Sequence, residues 1–560
     1  MPPEQVNPQP AGHSHPDHEH DTSGSIPQPD ASDPRLVGRW ERLEATFQGS
    51  ATHAALLPDG RVFAYGGSSL DPQAFSNPPP AEILDLASEE TYPLAMPGVN
   101  GDLWCGGHTF LADGRLLFVG GTSYYPPAPD PFYGGLKEAY LFDSTGDTWT
   151  RLPDMHEGRW YPTLLRLADD TVLVISGLQY RDPQEEPRKQ NILLVVWNLL
   201  TRVRQRLVKR QELYDPASMS FSLLPGERLF PLYPRLHLLP DGDVFYSGVF
   251  NTHYFVPGRF PSARWDHHSG EWRELGGRHK KKNREEGISV LLALRPPDYR
   301  PQVLIAGGGH HNLARLLETL LHGLGRHHLS SKLRRFVTAH KTVEFIDLCD
   351  DQPSWVARAD MHLPRIHAVG VLLPDGQVLA VGGVPGHGYG PELDGFPVLA
   401  PEMYDPHTDT WTLMANPERA RMYHATALLL PDGRVLAMGG NPHARQIERS
   451  IEIFSPPYLF QGERPVITAC PDELRYGGSF EVELGGSQAV DKVVLMRPEA
   501  VTHVTNTDQR LLELTIEGQS DGRLSITGPP SHAHMPTGCC LLFVLTAGGI
   551  PSEGKFVRLH

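Results

Sequence analysis

One phrase recurs along this chain at intervals of roughly 50 residues, and it constrains the fold more than any other feature. It opens on apolar residues, passes through an acidic turn of the Pro-Asp-Gly kind, and runs as a short apolar segment to a Gly-Gly stop. Copies read LLPDGRVFAYGG at 56–67, FLADGRLLFVGG at 110–121, RLADDTVLVISG at 166–177 and LLPDGDVFYSG at 238–248. A degenerate copy, RPPDYRPQVLIAGG, covers 295–308, and clear ones return as LLPDGQVLAVGG at 372–383 and LLPDGRVLAMGG at 429–440. Each reads as a hairpin: apolar strand, Asp-Gly turn, apolar strand, stop.

A second phrase alternates with the first: an apolar strand, an Asp, then an aromatic about six residues on. It is clear in LFDSTGDTWTRL at 141–152, WDHHSGEWREL at 265–275 and YDPHTDTWTLM at 404–414. Weaker copies are EILDLASEETY at 82–92, LYDPASMSFSLL at 213–224, FIDLCDDQPSW at 345–355 and, without the Asp, IEIFSPPYLF at 451–460. Hairpin plus hairpin makes a four-stranded blade, and seven of each phrase predict a seven-bladed β-propeller of kelch type over 37–463. Trp40-Glu41-Arg42-Leu43 reads as a fourth strand placed before the first hairpin. The last blade lacks a fourth strand of its own. Residues 38–45 are therefore expected to complete the blade begun near 421, removing the open edges of the ring.

The phrase stops after 462. Residues 464–560 alternate as short strands, PVITAC, SFEVELG, KVVLMR, LLELTIEG, GRLSITG, CCLLFVLTA and GKFVRL, which predict an immunoglobulin-like β-sandwich. The fold class is thus all-β, a propeller followed by a sandwich. Three excursions read as solvated surface insertions: 185–210, 309–341 with helical periodicity, and the basic run His279-Lys280-Lys281-Lys282. Residues 1–36 are polar and Pro-rich and are expected to be a disordered tail. Their His13, His15, His18 and His20 could collect a divalent metal, which keeps a copper-binding role open beside the others.

Composition excludes several classes. Lys plus Arg number 50 against 66 Asp plus Glu, a formal net charge of −16, which disfavours wrapping a nucleic acid backbone. Five cysteines in 560 residues cannot form a disulfide framework. No apolar run reaches membrane-spanning length, and no basic start followed by an apolar stretch marks a secretory signal. The expectation is a monomer with a small-molecule substrate, no nucleic acid and no membrane span.

In a propeller, equivalent positions on the innermost strands converge on one axis. Eight residues before each turn Asp stand Cys105, Tyr161, Tyr233, His367 and His424, with Tyr423 beside the last. Packing alone would place Val or Ile there. A thiol, phenols and imidazoles meeting at an axis suit a borderline transition metal such as copper. Zinc spacings, a nucleophile elbow and a phosphate loop are absent.

WCGGHTFLADGR, GRWYPTLLRLADD, RMYHATALLLPDGRV and THVTNTDQR, in that order on that architecture, resemble the copper radical oxidases, the galactose oxidase and glyoxal oxidase family. The resemblance covers nearly all of the chain from about 38, and Arg-Trp-Tyr-Pro lies nearer the glyoxal oxidase side. It implies one copper ion and a Cys-Tyr thioether as cofactors. It implies that Tyr161 is the equatorial, radical-bearing tyrosine joined to Cys105, that Tyr423 is the axial tyrosine accepting the substrate hydroxyl proton, and that His424 and His503 are the imidazole ligands. His503, read without the resemblance, is a surface loop histidine. The implied activity is oxidation of a small aldehyde or primary alcohol by O2 with release of hydrogen peroxide; the alternative is a kelch-type binding scaffold without activity.

The sequence departs from the family at the tryptophan that shields the radical in galactose oxidase. SGLQY stands there, with Gln179 and Tyr180, so the shield is missing, changed or supplied from elsewhere, with Trp104 and Trp160 nearby in sequence. Sugar-binding residues have no match. Trp104, Trp160, Tyr233, Arg365 and His367 are candidate pocket residues. Family members are usually exported, whereas this sequence shows no signal, so a cytoplasmic location with reduced Cys349, Cys470, Cys539 and Cys540 is one expectation.

Overall fold

A computed structural model describes residues 33–560 except 69–79, 97, 100, 126–132, 183–202, 252–259, 276–283, 310–338, 386–396 and 442–446. The histidine tail, the run 279–282, and most of the expected insertions 185–210 and 309–341 lie outside the described residues. Pro34–Val37, at the edge of the stretch expected to be a tail, form a helical turn capped by the Asp33 side chain.

The described residues form seven four-stranded antiparallel blades. The inner hairpins are His53–Leu56 with Val62–Tyr65, Gly107–Phe110 with Leu116–Val119, Thr163–Arg166 with Val172–Ile175, and Leu236–Leu238 with Val244–Tyr246. They continue as Ile288–Leu291 with Gln302–Ala306, Val369–Leu372 with Val378–Val381, and Ala425–Leu429 with Val435–Gly439. In six of these turns the Asp carboxylate accepts the backbone N–H two residues on, from Arg61, Arg115, Thr171, Asp243, Gln377 and Arg434. The Gly that follows takes a positive φ, as at Gly114 (90°), and where the third copy has Asp170 instead, that residue adopts φ 67°.

Ring closure follows the expected pairing. Arg39–Thr46 runs antiparallel to Ser450–Ser455, with Trp40 opposite Phe454, and completes the seventh blade. The blades are dry between their faces: Val172, Leu173, Val174 and Ile175 are all fully buried. Such burial contributes about 1.5–3 kcal/mol per large aliphatic side chain.

Inside four blades a guanidinium binds a buried carboxylate at the start of the third strand. Arg159 meets Glu212 at 2.8 Å, Arg284 meets Glu344 at 2.7 Å, Arg365 meets Glu402 at 2.6 Å and Arg421 meets Glu452 at 2.7 Å. Each arginine also donates to main-chain carbonyls of its own blade, Arg365 to those of Gly382 and Ala400 at 3.0 Å each. These pairs fix the loops that lead into the inner strands.

The sandwich begins at Val466–Ala469. Its strand Leu511–Ser520 serves both layers: the first half pairs with Lys492–Met496 and the second with Arg523–Thr527. Between Met496 and Leu511 the chain leaves the sandwich. Ala500–Thr502 and Thr505–Asn506 form a hairpin whose first strand adds to the inner edge of the first blade, with Thr502 opposite His53. The tip of that hairpin is His503-Val504. No helix among the described residues is long and apolar enough to cross a membrane.

Candidate metal centre in the propeller channel

The residue that leads into an inner strand sits in the left-handed region in six blades. Its φ is 64° at Cys105, 67° at Tyr161, 43° at Tyr233, 56° at Glu286, 63° at His367 and 68° at His424. Non-glycine residues seldom adopt this conformation, and six at equivalent positions mark a backbone strained to aim side chains at the axis. Main-chain bonds link neighbouring members around the channel. The N–H of Tyr161 donates to the Cys105 carbonyl at 2.9 Å, that of Tyr233 to Tyr161 at 3.0 Å, and that of His367 to Glu286 at 3.0 Å.

Five of the side chains named above come together. The ligand atoms of Cys105, His424 and His503 all lie within 4.8 Å of one another. Cys105 Sγ is 3.5 Å from His503 Nε2, and its thiol also engages the Tyr161 phenol. The hydroxyls of Tyr161 and Tyr423 share a short hydrogen bond. Cys105, Tyr161, His424 and His503 are at most 2% exposed; Tyr423, at 6%, is the most accessible of the five.

The imidazoles are oriented from behind. His424 Nδ1 is 2.5 Å from Asn441 Oδ1, and His503 Nδ1 is 2.7 Å from Thr502 Oγ1, which turns both Nε2 atoms toward the centre. His503 and Val504 hold positive φ of 48° and 62° at the hairpin tip. The propeller grips that tip: Arg235 donates to the His503 carbonyl at 3.0 Å and Asn251 Nδ2 to the same carbonyl at 2.7 Å. Arg235 also bonds the Thr505 hydroxyl and, at 2.6 Å, Asn251 Oδ1.

Burial pushes the Cys105 thiol and the phenols of Tyr161, Tyr423 and Tyr233 well above their ordinary values. In the protein alone these groups stay protonated, so a cation is what would ionise them. Two phenol oxygens and two imidazole nitrogens make a mixed N/O set that fits Cu(II), with a sulfur adjacent.

The candidate pocket residues divide. Trp160 lies flat on Tyr161, ring centroids 3.7 Å apart at 5°, and covers the phenol that Gln179 and Tyr180 leave without a tryptophan. Trp104 stands edge-on to His424 at 5.7 Å. Tyr233 packs at 4.4 Å from Tyr161, but its hydroxyl donates to the Gly106 carbonyl at 2.6 Å, holding the segment after Cys105. His367 lies 4.9 Å from the Tyr423 ring and pairs through Nδ1 with Glu286 at 2.9 Å. Arg365 is corrected: its guanidinium points into its blade and is held by Glu402 and main-chain carbonyls, so it does not line the channel.

Sequence reasoning missed Glu286. The fifth hairpin has a longer turn, from Leu291 to Gln302, which moves Asp298 out of register with the other turn aspartates. Counting back two residues from the strand start would have found it. Asn441 and Asn251 carried a weaker signal, each following the stop of its hairpin.

A family profile described as glyoxal oxidase N-terminus matches residues 78–458, and one described as galactose oxidase-like, early set domain, matches 464–559. The chain is 28% identical to an aldehyde oxidase GLOX of Vitis pseudoreticulata over 94% of this chain and 97% of that one. It is 25% identical to galactose oxidase of Gibberella zeae over 82% of this chain and 61% of that protein. Among solved structures, a copper complex of a fungal alcohol oxidase of the AA5 family shares the fold, with a TM-score of 0.72 at 20% identity, covering 93% of this chain and 99% of that one.

Proposed function

This chain belongs to the glyoxal oxidase family of copper radical oxidases, and on that premise we propose that it oxidises a small aldehyde or primary alcohol with O2, releasing hydrogen peroxide. The observation that carries this reading is the convergence of Cys105, Tyr161, Tyr423, His424 and His503 from three blades and the sandwich onto one buried point. Tyr161, Tyr423, His424 and His503 would hold the copper, and a thioether would join Cys105 to Tyr161. Copper would supply a one-electron redox partner and a Lewis acid; Tyr161 supplies the second electron acceptor that a two-electron oxidation needs.

The protein groups divide the remaining work. Tyr423, the most accessible of the five, accepts the substrate hydroxyl proton at its Oη. Tyr161, in its oxidised form, takes the hydrogen atom from the adjacent carbon at its own Oη. The sulfur of Cys105 makes that phenol easier to oxidise, and the Trp160 indole excludes water from its face. A binding scaffold has no need of the set.

Copper-loaded, aerated protein tests the reading by intact mass and a peptide map. The expected result is a loss of two hydrogens (about 2 Da) with the Cys105 and Tyr161 peptides joined in a form that thiols do not split, together with peroxide release on aldehydes or alcohols. A free Cys105 thiol after verified copper loading would sink the radical-oxidase reading.

A further inference from the structure

The stack over Tyr161 does not end at Trp160. Tyr133 lies parallel to the other rings, 4.7 Å from Trp160 at 4°. Tyr125 follows at 5.0 Å from Tyr133, edge-on, and the hydroxyls of these two tyrosines hydrogen-bond to one another. Tyr161 and Trp160 are 2% and 0% exposed, and burial falls from Trp160 outward: Tyr133 is 8% exposed and Tyr125 is partly exposed. Covering the phenol takes one indole. Two further rings in unbroken contact, both phenols and neither phenylalanine, extend the series from a fully buried centre to the surface.

We propose that Tyr125, Tyr133 and Trp160 form an electron relay through which a one-electron, outer-sphere oxidant too large for the channel converts Tyr161 to its radical form. The proposal rests on the function inferred above. Indole and phenol rings lose an electron far more readily than aliphatic or phenylalanine side chains, so a hole can move by short steps. Tyr125 gives one electron to the oxidant and is refilled from Tyr133, which is refilled from Trp160, which is refilled from Tyr161. In sum, the oxidant gains one electron and Tyr161, held as a phenolate by the metal, loses one. No bond between heavy atoms forms or breaks, and the proton of a transiently oxidised Tyr133 or Tyr125 stays within their hydrogen-bonded pair.

The experiment follows the phenoxyl absorbance of copper-loaded, crosslinked protein by stopped flow after mixing with hexachloroiridate(IV). Tyr133→Phe and Tyr125→Phe keep the packing and remove the oxidisable ring; Tyr133→Trp keeps an oxidisable ring. The relay is expected to slow by about tenfold or more in each Phe variant, while Tyr133→Trp stays within about threefold of the parent, with the Tyr161 midpoint potential equal in all. Equal rates in parent and Phe variants would overturn the relay and leave the oxidase reading standing. A parent chain that binds copper yet never shows the phenoxyl signal would overturn both.

Discussion

Arg235 of the propeller holds His503 of the sandwich by its main-chain carbonyl, at 3.0 Å. The two residues are 268 positions apart, and the contact sets where the second imidazole stands. Arg235 is 3% exposed, and its two terminal nitrogens also donate to Thr505, Asn251 and the Tyr233 carbonyl. Arg235→Met should free the hairpin tip. Copper affinity is expected to fall by about 10–100-fold, the usual cost of losing a group that orients a ligand. Competitive chelator titration checks it, and an unchanged affinity would show that the strand pairing of Thr502 with His53 suffices.

Asn441 does for His424 what Thr502 does for His503. Its Oδ1 fixes the ring tautomer from 2.5 Å. Asn441→Leu should weaken copper binding by about 10–100-fold and slow thioether formation, whereas Asn441→Asp should keep the tautomer and most of the affinity. Copper(II) EPR on the two variants separates these outcomes.

Arg365 gives a prediction of the opposite kind. Arg365→Met leaves Glu402 buried without its cation, although the N–H groups of His362 and Leu363 still donate to it. The expected cost is about 3–5 kcal/mol of stability by chemical denaturation, with copper uptake and crosslinking intact at low temperature. A raised KM with unchanged stability would instead return Arg365 to the channel wall.

Glu499 makes stability depend on pH. It is 2% exposed, stands just before the strand that carries His503, and accepts the Leu429 N–H at 3.2 Å. Burial pushes its carboxyl from 4.5 up to about 8. The folded state therefore holds a proton that the unfolded chain has already lost, so this contribution is full below pH 4.5 and is lost as pH rises toward 8. The slope should approach about 1.4 kcal/mol per pH unit at its steepest, and Glu499→Gln should flatten it. Denaturant midpoints at several pH values would show an unchanged slope if the carboxyl ionises freely in the fold.

The blade repeat was legible because its signals are local: a turn aspartate that bonds its own loop, a glycine at positive φ, and apolar residues on both faces of a buried strand. The axial residues were legible by register, since a hairpin of fixed length turns a sequence offset into a place in the ring. Glu286 escaped because its hairpin has a different length. Arg365 was misread because a charge two residues before an axial position resembles a pocket residue; its partner Glu402 lies 37 residues on, across two strands, with no fixed spacing to announce it. The cover over Tyr161 stayed open in the sequence, with Trp104 and Trp160 both nearby; the left-handed turn at Tyr161 lets the preceding Trp160 fold over it, and a dihedral angle is not written in composition. His503 was the hardest to see from residues alone, since its position depends on a hairpin that leaves one domain to pair with another.

The ring is shut by Arg39–Thr46 lying against Ser450–Ser455, and its first blade is widened by Ala500–Thr502. Both closures join the start of the described chain to segments made hundreds of residues later. A growing polypeptide therefore carries an unsealed circle until the last blade leaves the ribosome, and lacks His503 until the sandwich has followed. Most of the translation time passes with blade edges unpaired, which is when association with other chains is easiest. The five side chains that meet in the channel are therefore assembled late and together, not blade by blade.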